Sequence, residues 1–210
     1  MALLCHPSVA ASFARLQIGM EGYCNYMYCD VKGLVTTGEG NLIDDVASAC
    51  ALTWRHPDGS IATSDEVTLS WHTVKVAPSS MWPGGGAAYA ALTTIRLDDA
   101  CISAIINARL AIDEAVLVKR LPNYACLPAD AQMGILSIAW AAGPSCAAPH
   151  LFNALDLLTP DFGVAAYESS DNFRDLTAKR KAFNKRCFTN AKSVQDKVLD
   201  PTILYYPIAV

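Results

Sequence analysis

The chain has 210 residues, 52% of them hydrophobic and 17% charged, which is enough apolar material for one sizeable core. Twenty acidic residues against sixteen basic ones leave a net charge of −4, so the chain offers no polybasic patch of the kind nucleic acid requires. No run of 18 apolar residues occurs, which excludes a helical membrane span, and the opening MALLCHPSVAASF lacks the basic leader and long apolar stretch of a secretory signal.

Taken in chain order, residues 8–21 follow Pro7, a good helix-start residue, and carry Val9, Phe13, Leu16, Ile18 and Met20 in a roughly helical rhythm. The spacing predicts a helix ending at Glu21, with Gly22 as its left-handed stop. Asn25 to Val35 then reads as a strand, a tight turn at Asp30 to Gly33 and a return strand, with Gly38 and Gly40 turning the backbone again. A capping box from Thr63 to Glu66 opens a helix to about Val76. Helical periodicity returns from Leu97: Asp98 or Asp99 caps a helix to about Lys119 with Ile102, Ile105, Ile106 and Leu110 inward, and Pro122 ends it. The nearly all-apolar Ala129–Ala142 predicts the buried centre of a helical lobe, and Thr159 with Pro160 predicts the start of another helix.

Chemistry concentrates in EGYCNYMYCDVKGLVTTGEGN, where Glu21 is followed nine residues on by Asp30 and six later by Thr36. Hydrolysis of a glycosidic bond needs one carboxylic acid to protonate the leaving oxygen and a second carboxylate to handle the water or the cation. A glutamate at the negative end of a helix dipole is expected to hold its proton more tightly than usual, as a general acid must. Asp30, in a polar turn, is expected to keep its charge and serve a water, with the Thr36 hydroxyl as a further hydrogen-bonding group. Glu39, inside TGEG, reads as an exposed turn residue. The four histidines, 6, 56, 72 and 150, show no metal-ligand spacing and read as surface or capping residues, and no cofactor or metal is expected. The eight cysteines show no C-x-x-C. Several, such as Cys101 and Cys146, fall in apolar stretches that read as helical and are expected to be buried free thiols, while Cys24 and Cys29 leave open a disulfide clamping the site in an oxidising compartment.

Glu21, Gly22, Tyr28, Asp30, Gly33, Thr36, Gly38 and Gly40 stand, without a gap, at the spacing of the active-site motif of phage-type lysozymes of the T-even kind, glycoside hydrolase family 24, which the stretch resembles. The resemblance implies cleavage of peptidoglycan glycan strands between N-acetylmuramic acid and N-acetylglucosamine with inversion, Glu21 being the acid and Asp30 with Thr36 positioning the water. Asn41 stands where many relatives have His, and so concerns a sugar contact. Trp140 aligns with an aromatic residue that borders the substrate cleft, the alternative being a core tryptophan. LTAKRKAFNKRCFTNA resembles the basic C-terminal helix whose arginine can pair with the catalytic glutamate, which makes Arg180 the candidate for that role and a solvated basic face the alternative.

Residues 42–95 are longer than the family's equivalent connection and read as a subfamily insertion in a single 1–210 catalytic domain. Trp54, Trp71 and Trp82 within it either stack on sugar or pin the loop to the core. The insertion loosely resembles lysozyme-like domains of antibacterial effectors, including those delivered by type VI secretion, which adds an immunity protein or a secretion apparatus as a further partner. The expectation is an α+β, mainly α, lysozyme-like fold: a small β-hairpin lobe, a larger helical lobe and a cleft between them. A protein made in the cytoplasm without a signal would reach the periplasm or wall by lysis or delivery. A chitin-type glycan hydrolase and a catalytically silent glycan-binding domain are the rival readings.

Overall fold

Helix α1 (Pro7–Glu21) buries Val9 and Phe13 completely, and Gly22 ends it at φ +88°, a conformation that a side chain would strain. The structure is a computed structural model that describes residues 3–78, 80–81, 86–174 and 176–210. It is α+β and mainly helical, and it divides into two compact units, Glu21–Asn107 and Met1–Met20 with Ala108–Val210.

In the unit Glu21–Asn107, β1 (Cys24–Cys29), β2 (Val35–Gly38) and β3 (Asn41–Leu42) form an antiparallel sheet in that order, with an irregularity in β1 between Cys24 and Tyr28. The short α2 (Val46–Cys50) is capped by Asp45, whose carboxylate accepts the Ser48 amide. Helix α3 (Ser64–Lys75) packs on β1, β2 and α2, and the predicted capping box is present: Thr63 accepts from the Glu66 amide and Glu66 from the Thr63 amide. Leu97, read above as the start of helical periodicity, instead lies in β5 (Arg96–Leu97). That strand pairs antiparallel with β4 (Trp54–Arg55), a partnership between segments some forty residues apart that local periodicity cannot reveal. Trp54 and Trp71 are buried, their indole nitrogens donating to the Ala49 and Ile43 carbonyls at 2.8 Å each. Both act as pins between segments. Trp82 lies outside the described residues.

Helix α4 (Asp99–Arg120) is capped by Asp98, whose carboxylate accepts the Cys101 amide at 2.7 Å. Ile102, Ile106 and Leu110 are buried as predicted, and Ile105 is half-buried. In the second unit α5 (Ala129–Ala142) is buried from Ala129 through Trp140. It packs on α8 (Ala178–Lys197), while α6 (Pro149–Leu155) packs on α7 (Phe162–Glu168) and α7 on α8. Helix α7 begins later than Thr159 and Pro160 suggest, because Asp161 supplies the capping carboxylate, accepting the Val164 amide at 3.0 Å. Cys146 lies in the loop before α6 and not in a helix, since Gly143 ends α5 with φ +85°.

Two buried carboxylates of this unit, Glu114 and Asp130, fasten the chain ends. Glu114 accepts the Leu4 and Cys5 amides at 2.6 and 2.7 Å and the Tyr124 hydroxyl at 3.1 Å, fastening the N-terminal segment. Asp130 accepts the Tyr205 and Tyr206 amides at 2.8 and 3.0 Å and the Asn190 side chain at 3.0 Å, fastening the C-terminal segment. No helix among the described residues is long and apolar enough to cross a membrane.

Candidate functional site

The sequence candidates Glu21, Asp30, Thr36 and Asn41 fall in the unit Glu21–Asn107, and Trp140 and Arg180 in the other. Glu21 is the last residue of α1, as predicted, and its side chain lies outside the described part of the structure. Two residues on, the Tyr23 hydroxyl donates to Asp99 at 2.5 Å, which fastens the connection into β1 to the start of α4. Burial, with Asp99 beside it, pushes the Tyr23 phenol up to about 12, so it stays a donor.

Asp30 sits where β1 gives way to its turn. The turn is closed by the Gly33 amide on the Asp30 carbonyl at 2.9 Å and by the Asp30 amide on the Leu34 carbonyl at 3.0 Å. Its Oδ1 accepts the Lys32 and Leu34 amides at 2.8 and 2.9 Å. Among the described residues Oδ2 has no such partner, so the turn holds the carboxylate by one oxygen and leaves the other for solvent or substrate. The side chain is half-buried.

Thr36, in β2, is buried, and its hydroxyl donates to the Leu34 carbonyl at 3.0 Å. With its proton used there, the oxygen is left as an acceptor. Thr36 lies opposite Tyr28 on one side and Leu42 on the other, whereas its neighbour Thr37 lies opposite Asn41. Residues directly opposite share a face and consecutive ones do not, so Asn41 is on the other face of the sheet from Thr36.

Two residues that the sequence reading passed over hold this turn in place. Lys75, at the end of α3, donates to Asp44 at 2.7 Å and to the Gly33 carbonyl at 3.1 Å, while Asp44 accepts the Val35 amide at 2.7 Å. The Lys75 hydrogen bond holds the Asp44 carboxyl below its ordinary range. No spacing rule links a lysine in a helix to an aspartate 31 residues earlier, so only the folded chain exposes the pair.

Glu39 corrects the reading above. It is 3% exposed and not a solvated turn residue: Gly38 and Gly40 at φ +61° and +82° fold the tight β2–β3 turn so that the glutamate is enclosed beside β2, every residue of which is buried. Glu39 is thus a second carboxylate beside β2, to be tested alongside Asp30.

In the other unit Trp140 is 6% exposed, edge-on to Phe13 at 5.7 Å, with the Arg109 guanidinium 4.1 Å from its ring centre and donating to its carbonyl at 2.7 Å. Arg180 is buried, which rules out the solvated basic face. Its described partners are Gln17 at 3.0 Å and the Ser137 carbonyl and hydroxyl at 3.0 and 2.8 Å, tying α8 to α1 and α5.

No family model, characterised protein or solved structure matches the chain. The site therefore has to be read from its own chemistry.

Among the described residues no cluster of three His, Cys, Asp or Glu could hold a metal ion. The cysteines described are all free thiols. Cys24 and Cys29 are the two ends of the single strand β1, which at about 3.3 Å per residue puts them roughly 16 Å apart, whereas a disulfide needs α-carbons within about 7 Å. The clamp disulfide left open above is excluded in this fold. Of the eight, Cys5, Cys29 and Cys187 are buried, and Cys126 is exposed.

Proposed function

We propose that the protein is a muramidase that hydrolyses the β-1,4 bond between N-acetylmuramic acid and N-acetylglucosamine in peptidoglycan, with Glu21 as general acid and Asp30 and Thr36 positioning the attacking water. The observation that carries the reading is the Asp30 turn, in which one carboxylate oxygen is fixed by two backbone amides and the other is left without a partner among the described residues. It follows a helix that ends in Glu21 and precedes Thr36 at the spacing noted above. A carboxylate held in this way is oriented before a water or a sugar arrives, which spares the reaction that ordering cost.

The lysozyme-like architecture and its active-site cleft belong to the same proposal, as do the inverting outcome and action in the periplasm or wall as an antibacterial effector. In an inverting enzyme the water needs room between sugar and base, which sets the carboxyl groups roughly 6.5 to 9.5 Å apart. Thr36, as a hydrogen-bond acceptor, supplies a second contact for that water.

The deciding experiment is the mass spectrum of fragments released from purified peptidoglycan, run beside chitin oligomers. Muropeptides with reducing N-acetylmuramic acid ends support the proposal. Cleavage of chitin alone would move the substrate class, and intact glycan strands from folded protein would leave only a binding role. Proton NMR of the first product, before mutarotation, is expected to show the α-anomer; a β-anomer would make Asp30 a nucleophile.

A further inference from the structure

A cavity of about 170 Å³ opens in the unit that contains α5 and α8, between the last turns of α1 and the first turns of α8, and it lies outside the residues assigned to hydrolysis. Leu16 and Met20 from α1, Phe183 from α8 and the Tyr206 ring, which packs on Phe183 at 4.5 Å between centroids, make an apolar floor. Arg15 and Lys179 supply the charge, both exposed, and among the described side chains no acidic one lines the space. Among the described residues neither cation forms an ion pair. Lys179 instead donates to the Gly19 carbonyl, which keeps its ammonium at the rim. Gly19 completes the lining, and a β-carbon added there meets no atom within 4 Å.

Two unpaired cations above an apolar floor are complementary to one kind of guest. The volume matches roughly five or six waters, enough for one ring or short chain with a head group and too little for a disaccharide. A planar carboxylate suits the arginine fork in two parallel hydrogen bonds and can share the lysine. We infer that this cavity is a binding site for a small apolar monocarboxylate, its ring or chain on Leu16, Met20 and Phe183 and its carboxylate between Arg15 and Lys179. The site is independent of the muramidase reading, because its occupancy is measured without any glycan.

The test uses the full chain and 3-phenylpropionate as probe, followed by calorimetry and amide NMR shifts, with 3-phenylpropionamide and inorganic phosphate as controls. One saturable site is expected, with the neutral amide at least tenfold weaker and phosphate alone not competing. Arg15→Gln with Lys179→Gln is expected to weaken the carboxylate at least tenfold. Gly19→Leu fills the cavity from a helix position that favours leucine over glycine and is expected to abolish binding. Absence of saturation, equal binding of the amide, competition by phosphate, or unchanged affinity in either folded variant overturns the site. If Gly19→Leu does not fold, the double glutamine variant, whose two changes are at exposed positions, decides the matter.

Discussion

The Asp30 carboxylate accepts the Leu34 amide at 2.9 Å while the Asp30 amide donates to the Leu34 carbonyl at 3.0 Å, so the two ends of the turn close on each other. Since both side-chain bonds go to Oδ1, an asparagine oxygen can take them over and the change of charge is separated from the change of shape. Asp30→Asn is expected to cost about 1 kcal/mol of stability, because hydrogen bonds to a neutral acceptor are weaker, while wall lysis falls at least about 100-fold. Glu21→Gln is expected to fall as far, and Glu39→Gln less. Turbidity assays on purified walls, with unfolding curves alongside, give the order; a loss for Glu39→Gln that exceeds the loss for Asp30→Asn would make Glu39 the second carboxylate.

Trp54 and Trp71 are pins, and their removal acts on stability. Truncating Trp54, which is 1% exposed and bonded to the Ala49 carbonyl, to alanine is expected to cost about 3–5 kcal/mol, and Trp54→Phe, which keeps most of the volume and loses the hydrogen bond, about 1–2 kcal/mol. Denaturant unfolding measures both. A fall in the turnover of the folded fraction, with stability retained, would instead place the ring on substrate.

Burial raises the Asp113 carboxyl above its ordinary value, and Arg109, at 3.7 Å, only partly offsets this. A raised native value means that the folded state binds the proton more tightly than the unfolded chain does. The contribution of Asp113 to stability is therefore fully present below about pH 3.9 and is lost as pH rises through the native value. Asp113→Asn removes that slope, so the stability of the variant relative to wild type is expected to grow with pH across this window and then level off. A constant difference from pH 3 to pH 7 would show that Arg109 compensates the charge fully.

Gly134 lies where α5 meets α8: a β-carbon there would sit 3.0 Å from the Phe188 ring and 3.3 Å from the Cys187 β-carbon. Gly134→Ala gains up to about 1 kcal/mol in helix propensity yet is expected to be net destabilising by about 1 kcal/mol, since both neighbours are fully buried and cannot withdraw. A higher melting temperature for this variant would mean that the α5–α8 contact yields easily.

Thiol labelling of the native protein is expected to modify Cys126 first and to spare Cys5, Cys29 and Cys187 until unfolding. Burial, reinforced by Glu114, pushes the Cys5 thiol up to about 12, which removes the reactive thiolate. Peptide mapping after a short pulse at pH 8 identifies the labelled positions.

Local signals carried much of this protein in the sequence itself. Helix α1 from Pro7 to Glu21, the Thr63–Glu66 capping box and the apolar run of α5 depend on residues three or four apart, and periodicity and capping chemistry report such neighbours directly. The Asp30 turn was legible for the same reason, because its hydrogen bonds reach no further than Leu34. Tertiary structure alone decided what depends on partners distant in the chain. Leu97 joined a strand because Trp54 was there to pair with it, and Lys75 found Asp44 across 31 residues. Arg180 became buried because Gln17 and Ser137 supply acceptors that a helical rhythm cannot announce. Glu39 completes the contrast: short range in sequence says which residues are adjacent, but which side of the backbone meets the core follows only once the strands are in register.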